Sequence, residues 1–416
     1  MYDKLTLQNG VRILTEPMPD RRSAALGLWV GAGSRAEAPA EHGAAHFIEH
    51  MLFKGTQSRS AADLASAMDG VGGQVNAFTT REKTCFYARV LDTHLELAID
   101  LLTDMFFCSR FDEADVQSER GVIGEEIGMY EDTPDDLVVE RAVERSLTGS
   151  LSHSVLGSRR SLAGLSPEGL KAFMGRYYTP DRTVIALCGS FCEAHVRRLA
   201  EIFDRMKPGD APEPKPSHFR PVFLTKRRAT EQNHICLAFQ ALPANSETRF
   251  AMQFLSSVLG GGVSSRLFQT VREKHGLCYA ISDFLVNFNE VGVYGVSAAL
   301  GRETELKALR LILDELRRLA EDGVTPEELS RAREQVKSSL ALSMESTSAV
   351  MNKLGAGELV LGRSLSLDEL LERYDAVTAE EVLDLARRVL DFDSMTFSAV
   401  GRVKAEEEYR QAIGGS

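Results

Sequence analysis

The segment Met206-Lys-Pro-Gly-Asp-Ala-Pro-Glu-Pro-Lys-Pro-Ser-His218 constrains the fold more than any other stretch of this chain. Its four prolines, with Gly209, remove backbone donors and lock φ, so it is neither a helix interior nor a central strand. It reads as a stiff polar linker that divides the 416 residues into two nearly equal halves. Domains are expected at 1–207 and 220–416, joined across 208–219. A chain of this length with 44% apolar residues can fill two full-sized cores.

Both halves mix strands and helices. In the first, residues 11–16, 24–30, 74–80, 84–90 and 183–189 alternate or run apolar like strands. Residues 60–71, 91–107, 113–129 and 137–148 carry helical spacing. In the second, 234–239, 277–287, 291–299 and 395–401 read as strands, and 248–259, 264–275, 303–319 and 326–360 as helices. The fold class expected is α+β: two similar α/β sandwich domains, helices packed on a mostly antiparallel sheet. A local echo, Arg81-Glu-Lys against Arg272-Glu-Lys, each ahead of an aromatic strand, hints at an internal duplication.

Within the first half, His46-Phe-Ile-Glu-His50 carries the chemistry. Residues four apart share one face of a helix, so His46 and His50 can reach the same zinc ion through neutral ring nitrogens. Glu49 lies on that side too and can polarise a metal-held water without ligating, the zincin order H-E-x-x-H reversed. The flanks Ala44, Ala45, Phe47, Ile48, Met51, Leu52 and Phe53 are apolar, so the helix is expected to be buried, where imidazoles and carboxylates need partners. A catalytic zinc takes a third protein ligand. Glu119 and Glu126 lie two turns apart on one face of the helix at 113–129; Glu126 is favoured as ligand, with Glu125 as the alternative, and Glu119 behind it bonding a ligand histidine. His42 continues the spacing, but eight residues span about 12 Å of helix, too far for one ion, and it is taken as structural.

These residues resemble the pitrilysin-like, inverted-zincin metallopeptidases, the family of insulin-degrading enzyme and the mitochondrial processing peptidase. The resemblance rests on Gly31-Ala-Gly-Ser-Arg-Ala-Glu37, on His46-Phe-Ile-Glu-His-Met-Leu-Phe-Lys-Gly-Thr56, and on Glu126 in Gly124-Glu-Glu-Ile-Gly-Met-Tyr-Glu-Asp132. It implies that Gly72-Gly-Gln-Val-Asn-Ala-Phe-Thr79 is the strand along which an extended peptide adds, with Asn76, Ala77 and Phe78 as substrate-binding residues. It also implies that Arg272 and Tyr279 come from a C-terminal-type domain facing the metal, Tyr279 donating to the developing oxyanion and Arg272 orienting the substrate or the tyrosine. The second half has Phe254-Leu-Ser-Ser-Val-Leu259 where a metal helix would stand, so one zinc per chain is expected. Two-domain members of the family pair, which implies a homodimer with composite sites.

Charge and composition exclude other classes. Lys plus Arg total 48 against 60 Asp plus Glu, a net charge of −12, which disfavours nucleic acid and attracts basic, presequence-like peptides. Six scattered cysteines without a C-x-x-C pair suit a reducing compartment, and Cys188 and Cys192 are read as core residues. With no leader, transit segment or ~18-residue apolar run, the expectation is a soluble, cytoplasmic protein without membrane contact. The function expected is a zinc endopeptidase acting on unstructured peptides. The alternatives are a catalytically silent scaffold of the same fold and a catalytic subunit that needs a different, motif-poor partner chain.

Overall fold

The computed structural model describes residues 2–414. It falls into two compact units. The first comprises residues up to Ile127 together with His153–Lys215 and Ala341–Ser366; the second comprises Gly128–Ser152, Pro216–Leu340 and the residues from Leu367 onward.

In the first unit, strands β1 (Asp3–Thr6), β2 (Arg12–Pro17), β3 (Ser23–Val30), β4 (Gln74–Thr79), β5 (Thr84–Leu91) and β6 (Thr183–Gly189) form one sheet in the order β1-β2-β6-β3-β5-β4. β2 runs parallel to β6 and every other pairing is antiparallel. The second unit has β7 (Phe223–Arg227), β8 (Asn233–Ala241), β9 (Cys278–Asn287), β10 (Gly292–Leu300) and β11 (Thr396–Gly401) in the order β7-β11-β8-β10-β9. β7 runs parallel to β11 and the rest are antiparallel. Without β1 the two orders and senses match strand for strand. The chain is therefore duplicated, in two α/β sandwiches.

The R-E-K echo does not mark that duplication. Arg81-Glu-Lys lies in the turn between β4 and β5, whereas Arg272-Glu-Lys ends the π-helix Phe268–Lys274 ahead of β9, the counterpart of β4. The two stretches stand on opposite sides of corresponding strands.

β3 and β6 are buried along nearly their whole length, on both faces, so each face of this sheet must be covered. Helices Ala44–Leu52, Leu95–Cys108 and Pro167–Tyr177 supply one cover through Phe47, Ile48, Leu102 and Phe173. The other is the helix Thr347–Leu361, whose Val350, Met351 and Leu354 pack on Trp29, Val184 and Ala186. In the second unit, Val138, Ala142 and Val143 of the helix Pro134–Ser146 pack on Cys236, Ala238 and Val293. Each sheet thus recruits a helix from the other half of the sequence, which is why the units are not the contiguous blocks 1–207 and 220–416.

Other departures are local. The helix expected over 326–360 is two, Pro326–Ser343 and Thr347–Leu361, the second capped by the Ser346 side chain at Ala349 N–H. Cys188 is buried in β6, but Cys192 is exposed at the start of the helix Glu193–Phe203, its Sγ 3.3 Å from His195 Nδ1. All six cysteines are free. The proline-rich segment is pinned up to Lys215 on the first unit: Arg182 Nη2 donates to Glu213 at 2.9 Å and Arg35 Nη2 to the Lys215 carbonyl at 3.4 Å. Among the described residues no helix is long and apolar enough to cross a membrane.

Trp29 is the single tryptophan and is 1% exposed, wedged where a Cβ on Gly355 would stand 2.2 Å from its Nε1. The rigid indole cannot yield, so Gly355→Ala is expected to cost about 1–3 kcal/mol through overpacking. Urea unfolding followed by Trp29 fluorescence measures it directly.

Candidate metal centre

The site begins with a buried helix and an unusual cap. Seven of the nine residues of Ala44–Leu52 are buried, and the helix starts from Gly43 at φ 97°, a conformation open to glycine. Its first N–H groups are met from outside: Glu37 accepts from Gly43 N and Ala45 N, each at 2.8 Å. His153 Nε2 adds a contact to Glu37 Oε2 at 3.2 Å and lies 2.9 Å from the Ser34 carbonyl. Burial pushes the Glu37 carboxyl well above the usual carboxylate range, and the two backbone N–H groups pull against it. His42 lies just outside the helix (φ −56°, ψ 121°), its ring stacked on His153 at 3.8 Å between centroids, in keeping with a structural role.

One turn apart on this helix, the His46 and His50 rings stand 4.7 Å apart and tilted by 67°. The helix Glu113–Asp132 brings the carboxylates. Glu126 Oε2 is 3.7 Å from both His46 Nε2 and His50 Nε2, while Glu125 is exposed. His46, His50 and Glu126 form the one group of three candidate ligands among the described residues, their ligand atoms all within 4.8 Å of one another. Glu119, two turns before Glu126 and 2% exposed, meets His50 Nδ1 at 3.0 Å through Oε2 and Lys54 Nζ at 2.6 Å through Oε1.

This donor set fits zinc. Two imidazole nitrogens and one carboxylate oxygen bound at 2.0–2.2 Å in tetrahedral geometry stand about 3.4 Å apart and leave a fourth position open, and Glu126 lies 3.7 Å from each histidine. Burial, then the neighbouring His50, lowers the His46 pKa from 6.5 to about 4, so its ring is neutral, the form that ligates, through the physiological range. Glu119 accepts at His50 Nδ1, which leaves the Nε2 lone pair free on the side of Glu126.

Glu49 has a different setting. Thr79 Oγ1, at the end of β4, donates to Glu49 Oε2 at 2.6 Å. Burial raises its pKa, Thr79 and His50 act to lower it, and Glu126 adds to the rise. A carboxylate beside the ligand cluster with a raised proton affinity suits proton transfer. β4 pairs with β5 on one side and is the edge of its sheet on the other. Asn76 is exposed and its Oδ1 accepts from Ala77 N at 2.8 Å; the Phe78 ring packs edge-on against Trp29 at 5.5 Å, so that residue offers the edge its backbone.

Arg272 and Tyr279 belong to the second unit. The Arg272 guanidinium lies over the Phe268 ring at 4.7 Å and the Tyr279 ring at 5.2 Å, and Tyr279 is 76% exposed. Thr79, Lys54, Glu37 and His153 were not singled out from the sequence. Lys54 carried a readable signal, four residues past His50 and just beyond the end of the same helix. The others meet the site across turns and sheet partners, with no periodicity to announce them.

Comparison with known proteins places the chain in a family. Residues 12–158 match the family described as insulinase, peptidase family M16, and residues 164–336 match the peptidase M16 inactive domain. An uncharacterized zinc protease of Bacillus subtilis, YmxG, is 41% identical over 94% of this chain and 97% of its own length. One from Streptomyces coelicolor is 40% identical over 98% and 91%. Among solved structures, a peptidase M16 inactive domain from Pseudomonas fluorescens superposes with a TM-score of 0.90 at 21% identity, covering 97% of this chain and 99% of that one. A protease from Helicobacter pylori gives 0.88 at 19% identity, covering 96% and 99%. At these identities the likeness is one of fold.

The lowered His46 pKa has a sign that stability measurements read. Between 6.5 and about 4 the unfolded chain takes a proton that the folded, metal-free protein refuses, so stability falls as pH falls through that window. His46→Asn is expected to flatten the slope by up to about 1.4 kcal/mol per pH unit, measured by urea unfolding of metal-free protein across the window.

Proposed function

The chain belongs to the insulinase family, peptidase family M16, and we propose that it is a zinc-dependent endopeptidase that cleaves unstructured peptides. The observation that carries this reading is the meeting of His46 Nε2, His50 Nε2 and Glu126 Oε2 beside a half-buried Glu49. His46, His50 and Glu126 would hold one zinc per chain. When bound, the ion acidifies a water molecule and polarises the scissile carbonyl.

The residues of the chain do the rest. Glu49, its carboxylate oriented by Thr79, takes a proton from the attacking water and returns it to the leaving amine. Its raised proton affinity favours the first transfer. The open edge of β4 binds the main chain of an extended peptide near Asn76 and Ala77, which selects for unfolded substrate over any one side chain. Tyr279 donates to the oxyanion, with Arg272 stacked on its ring to hold it in place. The chain carries both sets of residues, so we propose a homodimer in which the metal site of one subunit is completed by the Arg272/Tyr279 unit of the other. The net charge of −12 supports basic, presequence-like peptides as substrates. A silent scaffold is disfavoured because no member of the donor set is missing.

Glu49→Gln is expected to retain zinc and lose about 10²–10⁴-fold in turnover on a quenched, mildly basic peptide, and a zinc chelator is expected to abolish wild-type cleavage. Undiminished turnover in Glu49→Gln would remove Glu49 from the mechanism. Native mass spectrometry is expected to show two chains; a species of one chain only would sink the composite site.

A further inference from the structure

The two ligand histidines are held in unlike ways. His46 Nδ1 is buried and has no hydrogen-bond partner, so that ring is fixed by its packing. His50 is less buried, at 22% side-chain exposure, and its Nδ1 is fixed by Glu119. Glu119 is itself held at both oxygens, Oε2 by His50 at 3.0 Å and Oε1 by Lys54 Nζ at 2.6 Å. We propose that Lys54 is a positioning residue of the metal centre, acting through Glu119 to hold the His50 ring in the orientation and tautomer that present Nε2 to the ion. This rests on the zinc reading above.

The argument turns on the asymmetry of the Lys54–Glu119 pair. Lys54 is 36% exposed and Glu119 2%. Between two exposed groups such a contact is worth little, but taking the cation from a buried carboxylate leaves a charge with no water to replace it. Among the described side chains, His50 and Lys54 are the recorded partners of the Glu119 carboxylate. With Lys54 absent, one oxygen is released, the carboxylate rotates, and the hydrogen bond that orients His50 loses its geometry. With Lys54 present, the carboxylate plane is fixed from both ends. Lys54 is well placed to do this: its N–H bonds the Met51 carbonyl at 3.1 Å, just past the helix C-terminus, where a cation is favoured.

The test is Zn²⁺ affinity, measured by competition with a chromogenic chelator on the full chain, for wild type, Lys54→Met, Lys54→Arg, Glu119→Gln and the Lys54→Met/Glu119→Gln pair. Lys54→Met is expected to bind zinc about 10–100-fold more weakly, the range for losing a group that orients a metal ligand. Lys54→Arg, which keeps the charge and reach, is expected to recover most of the affinity. In the Glu119→Gln background the Lys54 change is expected to have no further effect, since its route to the metal is gone. Metal-free unfolding followed by Trp29 fluorescence identifies any variant that merely misfolds. If Lys54→Met does so, the double variant, which leaves no buried charge unpaired, is compared with Glu119→Gln alone. Wild-type affinity in a folded Lys54→Met, or an equal loss in the Glu119→Gln background, overturns the proposal. Wild type that binds no zinc would instead overturn the peptidase reading, and this inference with it.

Discussion

Two carboxylates shut off from water, Glu37 and Glu119, set the conditions for the rest of the metal centre. A buried carboxylate must have its oxygens met, and, His153 apart, the groups that meet these belong to the helix Ala44–Leu52 or its ends. Glu37 takes the free N–H groups at the helix start; Glu119 takes His50 near its end and Lys54 just beyond it. The helix is thereby held at both termini, and the face carrying His46, Glu49 and His50 has little freedom to rotate. Such holding is what a preorganised ligand set would need.

The duplication sharpens the point. Both units build the same strand order and senses, yet the candidate metal ligands lie in one of them. In the second unit the helix between β8 and β9, Arg249–Leu259, carries Phe250, Phe254 and Leu255 buried as core, with no histidine and no carboxylate. The fold asks only that a helix cover the sheet with an apolar face. The candidate ligands stand on the first copy's helix, where Glu119, Glu126 and Thr79 meet His50, His46 and Glu49. The Arg272/Tyr279 stack is the second copy's own addition, reached through a π-helix, a form that often accompanies functional sites.

Much of this was legible from the chain. The apolar run along 24–30, the strand pattern along 84–90, the His46/His50 spacing with its apolar flanks and the helical spacing across 113–129 are local properties, and β3, β5 and the two helices formed where those patterns lie. His46 and His50 on one face, and Glu119 with Glu126 two turns apart, follow from helix geometry alone. Patterns without such regularity were lost or misread. The short parallel strand β7 has no alternation to distinguish it. The helical run across 326–360 concealed the break at Ser346 because apolar spacing continues through it. The R-E-K echo was coincidence in sequence; the repeat itself lies in strand order, which pairs residues far apart in the chain.

The sequence by itself therefore determined two α/β sandwiches, a buried helix presenting two imidazoles on one face, and a second helix with carboxylates at matching spacing. Each of these rests on neighbours within a few turns of one chain segment. Tertiary structure alone decided that each sheet takes a covering helix from the opposite half of the sequence, that Glu37 caps the metal helix with His153 against it, and that Lys54 and His50 close on the two oxygens of Glu119. The physical reason is common to all three. They satisfy buried faces and buried polar atoms, and which partner does so is settled by proximity in the packed fold.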